Sequence, residues 1–224
     1  ILREVDALPV GGMSNILFSS AGLRRPLVSF TGMRTVGITR PDEGTLSVAA
    51  GVSVPELLSY CIDNGLSGLE FLAGMPAVVG GLIAMDAGFK GISMSQVSLG
   101  VDRYEDVILS ARLRVVESGK EHVLDGISRN IEYRKTHQEW GVPSAGCVFS
   151  NPDHELGAGA MIDRCGLKGM RRNGARISQK HANFIVNDGG ATSDDVVYLI
   201  EIMREKVYQR FGVLLEEEIV RVEC

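Results

Sequence analysis

The sequence has 224 residues, 45% hydrophobic and 23% charged, and a net charge of −5. It is long enough for one large core or two smaller ones, and its acidic balance gives no electrostatic reason to expect a nucleic-acid or membrane partner. No stretch approaches the ~18 apolar residues of a membrane span, no signal-peptide pattern opens it, and the four cysteines, Cys61, Cys147, Cys165 and Cys224, form no CxxC pair, as in a reduced cytoplasmic protein.

In chain order, the apolar run Ile16–Phe18 follows a glycine turn, Gly11-Gly12-Met13-Ser14-Asn15. Thr45–Ala50 alternates as a strand does. Ser53-Val54-Pro55-Glu56 is a capping box opening a helix to about Asn64, with Gly65 as its stop. Val107–Val116 alternates again, placing Val107, Leu109, Ala111, Leu113 and Val115 on one face. Gly157–Cys165 predicts a short helix closed by Gly166, and Asn183–Val186 a strand. Ser193 is expected to cap a long helix to about Arg210 with Val196, Val197, Ile200, Met203 and Val207 inward, and Glu217–Glu223 to form a last strand. Strands and helices interspersed in this way give an α/β or α+β class.

The standard dinucleotide fingerprints are missing: there is no P-loop, and Gly157-Ala158-Gly159 lacks a third glycine and a preceding strand. Two other segments suit a nucleotide phosphate. In the first, Gly11, Gly12, Met13, Ser14 and Asn15 let backbone N–H groups converge on an anion, with two side-chain donors added; the same residues also suit a plain tight turn. In the second, Gly74-Met75-Pro76 makes a turn and Val79-Gly80-Gly81 leaves room for a flat group against the backbone, followed by Asp86-Ala87-Gly88.

These segments, in this order, resemble the flavin site of the UDP-N-acetylenolpyruvoylglucosamine reductase (UDP-N-acetylmuramate dehydrogenase) family. Later blocks agree: Ser144-Ala145-Gly146-Cys147-Val148-Phe149-Ser150-Asn151-Pro152 looks like the family's serine loop. Gly166-Leu167-Lys168-Gly169 and Ser178–Asn187 are similar to its substrate domain, and Phe211–Ile219 to its C-terminal signature. The departures are Cys147 for serine, Ser150 for lysine, Ala77 for glycine, Asp86 for asparagine and Glu217 for proline. The sequence also begins after the family's first βα unit, and between Gly91 and Val107 it is too short for the usual tyrosine–arginine–any–serine segment.

The resemblance implies an α+β fold: a two-lobed α/β FAD-binding region over residues 1–141, a smaller α+β substrate domain over 142–212, and a C-terminal strand, 213–224, returning to the FAD-binding region. It implies non-covalent FAD held by Gly11, Gly12, Met13, Ser14, Asn15, Gly74, Met75, Pro76, Val79, Gly80 and Ala87, with NADPH as co-substrate and no metal. The reaction implied serves peptidoglycan synthesis. Hydride passes from NADPH through FAD to C3 of the enolpyruvyl ether of a UDP-sugar, and a proton is delivered to C2. Cys147 is the expected proton donor, since a thiol with a reference pKa of ~8.5 is protonated at pH 7; a reactive thiol there is also expected to be open to alkylation. Glu218 is the expected acid at the substrate carboxylate, with Arg103 as its arginine partner, and Arg134, Asn151, His181 and Asn183 as substrate contacts. Three alternatives stand beside this reading: another FAD-dependent oxidoreductase of the same cofactor fold, a flavin- or nucleotide-binding module without turnover, and an acyl-transfer enzyme with Cys147 as nucleophile and His181 or His154 as base.

Overall fold

The computed structural model describes residues 6–33 and 37–222, which divide into two compact units. Of the described residues, unit 1 takes 6–13, 25–33 and 37–133, and unit 2 takes 14–24 and 134–222. The division thus falls at Tyr133/Arg134 rather than near Val142. The C-terminal segment lies in unit 2, where strand Val220–Val222 pairs in parallel with Ile16–Phe18. The cause is local: Leu17 packs on the apolar core of unit 2, so the chain after the first glycine turn joins that unit. The strand expected over Glu217–Glu223 is shorter, with Glu217 making only an isolated bridge to Phe149; Glu223 lies outside the described residues.

Unit 1 is built on a four-stranded antiparallel sheet in the order Ile38–Asp42, Thr45–Ala49, Val107–Arg114, Ser98–Tyr104. Helix α1 (Val54–Asn64) starts where expected: Ser53 Oγ accepts from Glu56 N at 3.3 Å, and Gly65 ends it at φ 63°. Val54, Leu57, Leu58 and Cys61 face the core. Two short helices follow, α2 (Val79–Ala84) and α3 (Met94–Val97). The expected face of Val107–Val116 is corrected by a register shift between Ile108 and Ser110. A β-bulge turns the strand over at that point, so Ile108, Ala111 and Leu113 are buried and Leu109 is exposed.

Helix α4 (Lys120–His137) was not anticipated from the pattern. Its apolar stripe is narrow, Val123 and Ile127 buried and Ile131 half-buried, on a helix otherwise mostly polar and interrupted by Gly126. The glycine is sterically useful: a Cβ at Gly126 would stand 3.0 Å from Glu70 Cγ.

Unit 2 holds a second four-stranded sheet, in the order Ser144–Cys147, Phe184–Asn187, Ala175–Ile177, Arg171–Arg172. Helices α5 (Ala158–Arg164) and α6 (Ser193–Phe211) complete the unit. Their buried Met161, Ile162, Leu199, Ile200, Met203 and Val207 join Phe149 and Ile177 in one core. The cap of α6 is Thr192, not Ser193: Thr192 Oγ1 accepts from Asp195 N at 3.2 Å, and Asp195 Oδ2 accepts from Thr192 N at 3.0 Å. The expected face is kept in Ile200, Met203 and Val207, which are buried, and Val196, which packs half-buried on the same core, with Asp195 and Leu199 buried beside them. Among the described residues no helix is long and apolar enough to cross a membrane.

Candidate active site

Cys147 ends the strand Ser144–Cys147, which pairs antiparallel with Phe184–Asn187 through a register shift between Ser144 and Cys147. Gly146 sits in that shift at φ 79°, a conformation only glycine adopts at no steric cost. Beyond Cys147 the chain continues alongside the segment carrying Glu218: Glu218 N donates to Val148 O at 2.8 Å and Ser150 N to Glu216 O at 3.0 Å. Cys147 and Glu218 therefore line one cavity of about 360 Å³, with Asn151, Lys168, Lys180 and His181 also on its wall.

The electrostatics of the pair follow from burial. Desolvation pushes the Cys147 thiol up to about 12; the Glu218 carboxylate adds to the rise, and Arg134 and a hydrogen bond from Asn183 oppose it. Burial also raises the Glu218 carboxyl above the usual range. Both shifts favour the protonated forms. A Cys–His nucleophile needs the reverse, a lowered thiol pKa beside a basic imidazole. Here burial, with Lys168 and His137 adding to it, lowers His181, and His154 Nδ1 accepts from Leu156 N at 3.0 Å. The acyl-transfer alternative is not favoured.

Asn183 is buried and fixes the loop after Cys147 from both sides. Its Nδ2 donates to Phe149 O at 2.7 Å and its Oδ1 accepts from Phe149 N at 3.0 Å. Asn151 Oδ1 accepts from Ala158 N at 3.0 Å, satisfying an N–H of the first turn of α5. The His181 ring stands edge-on to Phe184 at 4.9 Å, and a Cβ at Gly159 would meet its Cε1 at 3.1 Å. Its Nδ1 is buried with no hydrogen-bond partner among the described residues. Asn15 lies in unit 2, where its amide donates to Glu218 O at 2.8 Å.

The two arginines differ sharply. Arg134, in the last turn of α4, is buried and electrostatically coupled to Cys147; Gln138 Oε1 accepts from its Nη1 at 3.2 Å. Burial lowers its pKa. Arg103 lies in unit 1, exposed near the end of strand Ser98–Tyr104 and paired with Ile108. Of the expected side chains, Cys147, Glu218, Asn151, His181 and Asn183 line one cavity in unit 2; Arg134 belongs to the same unit and acts on Cys147 by its charge, while Arg103 belongs to unit 1.

Some residues of the wall were missed. Lys168 Nζ pairs with Asp163 Oδ2 at 2.7 Å, and Lys180 reaches Lys135 O at 3.1 Å. Ser178, fully buried, accepts from Lys180 N and His181 N and donates to Glu139 Oε1 at 2.9 Å, so Glu139 helps shape the loop. Lys168 between Gly166 and Gly169 is a usable signal for an anion site; the Ser178–Glu139 link spans 39 residues and leaves none.

In unit 1 the two glycine segments meet. A Cβ at Gly11 would stand 2.9 Å from Val78 Cγ2, and one at Gly12 would stand 3.3 Å from Pro76 O. Met13 has φ 55° and Gly74 φ 84°. The second segment is tied to residues 50–54: Val54 N donates to Ala77 O, Val79 N to Val52 O and Gly80 N to Ala50 O. Among the described residues no hydrogen bond engages the backbone N–H groups of Gly11, Gly12 or Met13. Close-packed glycine backbone with free donors fits an anionic cofactor phosphate. Ala87 follows α2, its N–H donating to Leu82 O at 2.9 Å.

Comparison with known proteins agrees with both units. Residues 3–117 match the FAD binding domain family, and residues 137–222 match the C-terminal domain of UDP-N-acetylenolpyruvoylglucosamine reductase. The UDP-N-acetylenolpyruvoylglucosamine reductase of Chloroherpeton thalassium is 36% identical over 97% of this chain and 79% of its own length. That of Nitrosococcus oceani is 35% identical over 97% and 80%. The crystal structure of UDP-N-acetylenolpyruvylglucosamine reductase from Thermus caldophilus superimposes with a TM-score of 0.77 at 30% identity, covering 96% of this chain and 85% of the other. The chain belongs to the UDP-N-acetylenolpyruvoylglucosamine reductase family and is an FAD-dependent oxidoreductase of that family.

Proposed function

We propose that the protein reduces the enolpyruvyl ether of UDP-N-acetylglucosamine to UDP-N-acetylmuramate with NADPH as the electron source. One observation carries the reading: a protonated thiol, Cys147, and a carboxyl held above its usual range, Glu218, line the same cavity. FAD, when bound and reduced by NADPH, would supply the hydride. The chain's own residues manage charge and proton. Glu218 in its acid form, with the cation of Arg134, receives the negative charge developing on the substrate carboxylate. Arg134 takes the part expected of Arg103, because it is the arginine coupled to Cys147. The Cys147 thiol gives its proton to C2 and regains one from solvent, so hydride and proton together balance the reduced double bond.

Lys168 and Lys180 give the cavity positive charge suited to the diphosphate of the substrate. Asn183 holds the Cys147 loop, and Asn151 and His181 border the remaining wall. A cytoplasmic setting belongs to the same reading, since Cys61, Cys147 and Cys165 are all free thiols.

The test is stoichiometric. Purified holoenzyme supplied with NADPH and the enolpyruvyl UDP-sugar should consume one for one and yield the lactyl ether by mass spectrometry. Oxidation of NADPH that is indifferent to this substrate would overturn the assignment.

A further inference from the structure

The segment carrying Glu218 is gripped from the side opposite the cavity. Glu217 accepts from two arginines. Arg221 binds it through Nε to Oε2 at 2.6 Å and Nη2 to Oε1 at 2.7 Å, a two-point fork, and Arg204 Nη2 also donates to Oε1. Arg204, on α6, further donates to Leu215 O at 3.3 Å, pairs with Glu201 at 2.7 Å and lies 5.8 Å from the ring of Phe149. Phe149 is the residue that bridges Glu217 in the backbone and that Asn183 holds. The Glu217 side chain is 17% exposed and both arginines 25%, so the ion pairs are shielded from full solvent screening.

Geometry links this cluster to the chemistry. Ladder bonds on either side of Glu217 keep its backbone extended, and extended backbone sends successive side chains to opposite faces. Glu217 on the arginine side therefore requires Glu218 on the cavity side. We propose that Glu217 is a positioning residue: the fork of Arg221, braced by Arg204, fixes the rotation of residues 215–221 and so aims the Glu218 carboxyl into the cavity. The proposal rests on the role given to Glu218 above.

Three variants of the FAD-loaded protein test it: Glu217→Gln, Arg221→Lys and Glu218→Gln. Glu217→Gln keeps shape and removes the charge; Arg221→Lys keeps the charge and removes the fork. Measured quantities are flavin reduction by NADPH, flavin reoxidation by the enolpyruvyl substrate, substrate Kd for the oxidised enzyme, and Tm. Both clamp variants should slow reoxidation about 10–100-fold, the usual cost of a small misplacement of a reacting group. Flavin reduction and Kd should stay near wild type while Tm falls modestly, because the partly buried arginines lose a partner; the split between the two half-reactions is one that a merely structural residue would not produce. Reoxidation at the wild-type rate in both clamp variants, beside a slow Glu218→Gln, overturns the positioning role and leaves the Glu218 assignment standing. Equal losses in both half-reactions and in Kd also overturn it. A wild-type rate in Glu218→Gln removes the assignment and the inference together.

Discussion

The side-chain amide of Asn15 donates to the backbone carbonyl of Glu218 at 2.8 Å, joining residues 203 apart in the chain. The backbone adds a second tie, Val220 N to Asn15 O at 2.9 Å. A residue expected at the cofactor thus ties down the backbone of Glu218, the residue proposed as the acid at the substrate. Asn15→Ala leaves a half-buried carbonyl unpaired, which typically costs about 1–3 kcal/mol. Urea denaturation should show that loss, with slowed flavin reoxidation by substrate. An unchanged midpoint and rate would mean that water replaces the amide at no cost.

Arg134→Ala should lower substrate-dependent reoxidation by about 10²–10³-fold, the usual effect of removing one preorganised charge or donor. Arg103→Ala should stay within twofold of wild type, because Arg103 lies on an exposed strand end. Single-turnover kinetics of the two variants decide between them, and the opposite ranking would restore Arg103.

Cys147→Ser should keep most of the activity and Cys147→Ala should lose about 10²–10⁴-fold in the substrate half-reaction, as expected for loss of a general acid. Burial changes the expectation about reagents. With the thiol pushed up to about 12, the thiolate that reacts with alkylators is scarce at neutral pH. Iodoacetamide should therefore label Cys147 far more slowly in the native protein than in urea. Equal labelling rates, measured by peptide mass spectrometry, would contradict the buried thiol.

Alkaline stability follows from Cys61 and Cys147, both pushed up to about 12, chiefly by burial. A raised folded-state pKa means that the unfolded chain loses the proton first, from ~8.5 upward. The contribution to stability is thus complete below that pH and is lost as pH rises towards 12. Each thiol adds a slope of at most ~1.4 kcal/mol per pH unit in that window. Urea midpoints should fall above pH 9, and Cys61→Val should make the fall shallower. A pH-independent midpoint from 8 to 11 would refute the shifts.

Met13 occupies the left-handed region at φ 55°, which costs an ordinary residue about 1–2 kcal/mol, more than the ~0.5–1 kcal/mol of extra chain entropy that glycine brings. Met13→Gly should raise the unfolding free energy by about 0.5 kcal/mol, seen as a higher urea midpoint, and keep FAD bound. A lower midpoint would show that the half-exposed methionine side chain contributes packing that outweighs the strain.

Local signals were legible wherever a few neighbouring residues settle the matter. The Ser53 cap, the Gly65 stop and the short helix before Gly166 depend on side chains and φ values within one turn. The loop holding Gly146, Cys147 and Asn151 was singled out by its resemblance to the family's serine loop, which those residues carry because they lie in one continuous run. The interspersed strands and helices left the class at α/β or α+β, and the resemblance carried by the ordered glycine blocks implied α+β with FAD, which the family matches share.

Contacts between distant segments were decided only by tertiary structure. The bulge that exposes Leu109 arises from pairing with the neighbouring strand, which a period of two cannot anticipate. Helix α4 is held by a stripe too narrow to stand out, and it delivers Arg134 to Cys147. Asn15 was read as a phosphate donor because its neighbours are glycines, yet its amide meets a carbonyl from the other end of the chain. The pKa values of Cys147 and Glu218 belong to this second class as well: residue type sets the ordinary value, but burial beside a particular partner sets the shift.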